Sequence, residues 1–84
     1  MAKQSLSVKK RIRQAIKARQ RNKAIRSAMR TAIKRVRLAR NREEAEEAFA
    51  RAVSVIDRTA QKGVIHKNTA ARYKSRLARL IRSM

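Results

Sequence analysis

The chain has 84 residues, one small domain; a fold of this size buries only about 60–65% of the surface its unfolded chain exposes, so its own core must be thin. Twenty-five Lys and Arg stand against five acids, giving a net charge of +20 at pH 7; self-repulsion on that scale opposes compaction while the same field attracts polyanions. The absence of cysteine excludes a disulfide framework and thiolate chemistry, and no apolar run approaches the roughly 18 residues of a membrane span.

The first predicted element is a long helix. Alanine, arginine, lysine, glutamate and leucine dominate the chain, all good helix formers, and proline is absent. From about Ser7 to Arg40 nothing breaks a helix, which predicts a rod of roughly 50 Å. Its apolar residues divide it in two. Ile25, Ala28, Met29, Ala32, Ile33, Val36 and Ala39 recur at three- and four-residue spacing, one stripe of an amphipathic helix. Before residue 24 only Val8, Ile12 and Ile16 form a short lane, and residues 19–23 read Arg-Gln-Arg-Asn-Lys. No other helix in the sequence is left to cover that stretch. It should project beyond the bundle, or stay disordered until a partner orders it.

Asn41, followed three residues later by Glu44, reads as a capping box opening a second helix. Glu43, Glu44, Glu46 and Glu47 fall in its first turns, where negative charge complements the helix dipole, so these acids need no catalytic role. The helix carries Ala45, Ala48, Phe49, Ala52, Ile56, Thr59 and Ala60 on one stripe and ends near Lys62, with Gly63 placed as a left-handed cap. A third helix starts near His66–Asn68 and runs towards Arg82. Either His66 or Asn68 could cap it, Asn being the better intrinsic candidate. Its stripe is Ala70, Tyr73, Leu77, Leu80, Ile81 and Met84. Met29, Phe49 and Tyr73 are expected in the core. The expected fold is all-α: an antiparallel three-helix bundle with a long, projecting basic first helix. Residues 1–84 are read as a single domain, 1–23 a basic extension of the first helix and 24–84 the bundle.

The charge is unevenly placed. Residues 1–40 hold fifteen Lys/Arg and no acid, whereas 41–84 hold ten Lys/Arg and all five acids. Lys9, Lys10, Arg11 and Arg13, then Lys17, Arg19, Arg21 and Lys23, surround the helix axis instead of sharing one face. A helix lying on a membrane keeps its cations on one side and apolar bulk on the other. A helix charged all round suits anions arriving from several directions, as folded RNA or an enclosing DNA groove supplies them. Arginine outnumbers lysine 16 to 9, which leans towards bidentate phosphate contacts and base stacking. Two aromatic residues are too few for a single-strand stacking platform. Nothing resembles a zinc finger, a basic zipper or an RNA-recognition sheet.

A second candidate surface gathers at the turn into the third helix: Lys62, His66, Lys67, Asn68, Arg72 and Lys74. Free backbone N–H groups at a helix N-terminus bind phosphate. His66 could donate to such a phosphate or simply cap the helix; as the only His in a chain without Cys it makes no metal site. No glycine-rich phosphate loop or His–carboxylate spacing supports catalysis, and the Ser and Thr hydroxyls have no visible activating base. No cofactor, metal, membrane or small-molecule substrate is expected. The basic N-terminus lacks the apolar segment of a signal peptide, so the expected address is the cytoplasm.

The sequence resembles a known family, small-subunit ribosomal protein twenty of bacteria and plastids. One block is Ser7-Val8-Lys9-Lys10-Arg11, Gln14, Lys17-Ala18-Arg19 and Asn22, continuing through Ser27, Met29-Arg30-Thr31, Ile33-Lys34 and Val36. The other is Lys62-Gly63-Val64-Ile65-His66-Lys67-Asn68, then Ala70-Ala71-Arg72, Lys74 and Leu77, with Gly63 to Asn68 the most specific stretch. Residues 38–56 match only as an alanine-rich helix with Phe49. The resemblance implies a non-enzymatic constituent of the small ribosomal subunit. It would bind small-subunit (16S) ribosomal RNA at its 5′ domain and at the long stem near its 3′ end, beside other small-subunit components, and support early assembly in a bacterial or plastid ribosome. By carry-over the RNA-binding residues are Ser7, Lys9, Lys10, Arg11, Gln14, Lys17, Arg19, Asn22, Ser27, Arg30, Lys34, His66, Lys67, Asn68, Arg72 and Lys74. Three rival readings differ in what they predict. A DNA-compacting protein binds generic duplex equally well, a membrane-active cation releases dye from anionic vesicles, and an enzyme needs a site the sequence does not display.

Overall fold

The computed structural model describes residues 2–84, and their side chains from residue 7 onwards. Three helices account for nearly all of them: α1 (Ala2–Arg37), α2 (Arg42–Gln61) and α3 (Lys67–Arg82). With neither Gly nor Pro in its 36 residues, α1 runs unbroken for about 54 Å. It sets the long dimension of a molecule 63 × 22 × 14 Å in extent. The radius of gyration is 17.8 Å, against about 12 Å for a compact chain of this length.

The helix ends follow local chemistry. α1 stops at Arg37, three residues short of expectation; the Leu38 amide still reaches Lys34, but the Ala39 amide turns to the Val36 carbonyl at 3.3 Å, tightening the last turn. Asn41, in extended geometry, accepts the Glu44 amide on Oδ1 at 2.9 Å. Glu44 reaches back as expected, although it accepts the amide of Arg40 at 3.0 Å and not that of Asn41, one residue beyond the usual capping box. At the far end of α2 the Gly63 amide donates to Ala60 and the Val64 amide to Thr59, a Schellman closure that needs φ +75° at Gly63.

His66 caps α3, not the intrinsically favoured Asn68: its Nδ1 accepts the Asn68 amide at 3.1 Å. The cap position is fixed by the residue before it. Ile65 packs against the core, as does Ala70 in the first turn of α3, an arrangement like a hydrophobic staple that leaves residue 66 extended at the helix entrance.

The core is the narrow seam the composition implies. Met29, Ile33 and Val36 of α1 meet Ala45, Ala52 and Ile56 of α2 and Ala70, Leu77 and Ile81 of α3. Phe49 and Tyr73 are half-buried against this seam. Thr59 is the one buried polar residue among those described, and its hydroxyl donates to the Val55 carbonyl at 2.7 Å. Three predicted stripe residues are not covered: Ala28, Leu80 and Met84 are exposed. α2 packs along both neighbours while α1 and α3 touch only slightly, and Ala28 lines an open groove between α1 and α2.

Candidate nucleic-acid interface

The last partly buried residues of α1 towards its N-terminus, apart from Ala18, are Ile25 and Asn22; from Ser7 to Arg21 the others are exposed. Residues 2–21 therefore carry the helix about 30 Å past its last packed turn. Ser7, Lys9, Lys10, Arg11, Gln14, Lys17 and Arg19 stand on this segment, all open to solvent. The Val8, Ile12 and Ile16 lane runs among them, between 46% and 52% exposed.

No acid compensates these cations. The two ion pairs among the described residues are Arg42–Glu46 at 3.3 Å, within α2, and Lys74–Asp57 at 2.8 Å, between α3 and α2. The positive charge of α1 is thus unpaired over its described length, and the electrostatic cost of gathering it is relieved only by an external anion.

The remaining candidates divide between several places. Ser27 lines a groove between α1 and α2 of about 620 Å³, floored by small side chains such as Ala24, Ala28 and Ala48, with Arg35 and Arg51 also on its walls. Arg30 and Lys34 line a different groove, beside Tyr73 of α3, together with Arg37. Arg37 was absent from the candidates, although its spacing from Arg30 and Lys34 along the helix was a usable signal.

At the opposite end of α2, Asn22 sits in a notch with Arg21 and Lys62, which joins the two candidate blocks. Lys67, Asn68 and Arg72 are exposed just beyond. Because the His66 Nδ1 accepts a hydrogen bond, its proton belongs on Nε2, which remains able to donate; capping and phosphate contact are compatible. Lys74 differs from the rest, since its ammonium is already held by Asp57.

The arrangement can attract, orient and neutralise anions. Among the described residues no group of three or more His, Cys, Asp or Glu could hold a metal ion, and no described helix is long and apolar enough to cross a membrane.

Comparison with known proteins agrees in kind. The family model described as Ribosomal protein S20 matches residues 3–82. The chain is 52% identical over 79 residues to the small ribosomal subunit protein bS20 of Nitrosomonas eutropha, covering 90% of this chain and 91% of that one. It is 54% identical over 81 residues to the bS20 of Alkalilimnicola ehrlichii, covering 93% and 92%. With that of Pseudomonas aeruginosa the identity is 52% over 81 residues, covering 93% and 89%. The chain belongs to the ribosomal protein S20 family: it is a ribosomal protein, not an enzyme.

Proposed function

We propose that this chain is a structural constituent of the bacterial small ribosomal subunit that binds 16S ribosomal RNA directly and supports its folding and assembly in the cytoplasm. The observation that carries the reading is the uncompensated charge encircling the projecting part of α1. A compact bundle holds a fixed position, and the projecting helix acts as a strut between RNA elements, cancelling phosphate charges that would otherwise repel one another. Residues 1–84 form one RNA-binding unit in this reading, with 1–23 the inserted extension and 24–84 the bundle.

The contacts assigned to RNA are Ser7, Lys9, Lys10, Arg11, Gln14, Lys17, Arg19, Asn22, Ser27, Arg30 and Lys34, with His66, Lys67, Asn68, Arg72 and Lys74. Family membership supports the RNA elements named above, the 5′ domain and the long stem near the 3′ end, as their targets. Because the candidates occupy several faces, more than one RNA element must approach.

A competition footprint tests this. The protein is bound to small-subunit ribosomal RNA against excess transfer RNA and generic duplex DNA over a salt series. A discrete set of ribosomal nucleotides should stay protected despite competitor. Protection lost in proportion on every polyanion would identify a general polycation and put DNA compaction first.

A further inference from the structure

Where α1 leaves the bundle, Arg21 and Asn22 of α1 and Lys62, the C-cap of α2, line one notch of about 490 Å³ with Ile25 and Val64. We propose that this notch holds a single phosphodiester group of the bound RNA, gripped from α1 and α2 at once. The proposal rests on the RNA-binding reading above and adds to it a specific subsite, two of whose three polar residues lie outside the assigned contacts.

The donor set suits a tetrahedral oxyanion. A guanidinium supplies a planar fork, an ammonium a mobile point charge, and an amide a neutral donor. No acid lines the notch, and Asp57, the one acid in the second half of α2, is engaged by Lys74. Ile25 and Val64 are half-buried and give the notch an apolar wall, which strengthens hydrogen bonds to charge relative to open water.

A helix C-terminus would ordinarily repel an anion through its free carbonyls. Here the Schellman bonds occupy the carbonyls of Thr59 and Ala60 with the amides of Val64 and Gly63, which leaves fewer free carbonyls to face the anion. The notch is also larger than one phosphate, as suits a group that arrives with ribose on both sides. Its position gives it a mechanical consequence: Arg21 lies one turn beyond Ile25, so a phosphate bound to both Arg21 and Lys62 fixes the direction in which the strut leaves the bundle.

The test is a salt series of binding to small-subunit ribosomal RNA by the full chain, by R21Q, K62Q and the R21Q/K62Q double variant, with R79Q as reference. Each neutralised phosphate adds about 0.7–0.9 to the slope of log affinity against log salt. If Arg21 and Lys62 share one phosphate, either single substitution leaves it countered and the slope nearly unchanged. The double variant should then lose about 0.7–0.9 of slope and about tenfold in affinity. Asn22→Ala should weaken binding at constant slope, because the amide is uncharged. Equal slope losses in both single variants that add in the double would mean two separate phosphates and overturn the proposal. An unaltered double variant would overturn it too. Failure of the unsubstituted chain to prefer ribosomal RNA would instead defeat the underlying RNA reading.

Discussion

Gly63 turns the chain from α2 towards α3 at φ +75°, in the left-handed region where a side chain costs about 1–2 kcal/mol. A Cβ built there meets nothing within 4 Å, so the penalty for Gly63→Ala should be this backbone strain alone, about 1–2 kcal/mol. Gly63→Asn should cost less, since Asn visits this region more readily. Urea denaturation measures both; an alanine variant as stable as the parent would mean that the Schellman pairing does not hold the turn. Gly63 was legible from sequence because its chemistry is unique in the chain. Asn41 was legible because its partner Glu44 lies three residues away. Sequence left His66 and Asn68 both open as the α3 cap, with Asn intrinsically favoured, because cap preference is local while the cap position is set by Ile65 against the core. The charge of Lys74 could be read directly, but not its neutralisation by Asp57, 17 residues earlier on another helix.

At the scale of the elements, that same pair ties α3 to α2. Its side chains are 36% and 48% exposed, so water screens it and it contributes at most about 1 kcal/mol. Asp57→Asn should therefore cost little stability while freeing the Lys74 ammonium, and affinity for ribosomal RNA should rise. Paired denaturation and RNA titration at fixed salt check this; a fall in affinity would mean that Lys74 serves the RNA through its held position and not through its charge. Three helices and their order followed from apolar periodicity, and Met29, Ile33, Val36, Ile56, Leu77 and Ile81 are buried as the stripes require. Periodicity reports which face of a helix is apolar, not which neighbour covers it. Leu80 is exposed because α3 leans on α2 and barely touches α1. The grooves holding Ser27, Arg30 and Lys34, and the notch joining Asn22 to Lys62, arise from how helices cross, which no single-helix pattern encodes.

The whole molecule separates stability from charge along its length. Its buried core begins at Met29, one turn after the half-buried Ile25, while Lys3, Lys9, Lys10, Arg11, Arg13, Lys17 and Arg19 all precede both in sequence. Removing residues 1–20 deletes these seven cations and no residue of the buried seam, and it leaves Arg21, Asn22 and Lys62 in place. The melting temperature of the truncated chain should be close to that of the parent, or higher, because self-repulsion falls while the apolar burial that holds the bundle is retained. RNA binding should respond in the opposite sense. If each lost cation neutralised one phosphate, the slope of log affinity against log salt would drop by up to about 6. Calorimetry and RNA titration over a salt series read the two effects independently. A truncated chain that melts far below the parent would mean that the extension supports the bundle. One that binds ribosomal RNA with unchanged affinity and slope would mean that the strut touches no phosphate. Only an intact bundle with a much shallower salt dependence fits a molecule whose folding and binding energies are carried by different stretches of the same helix.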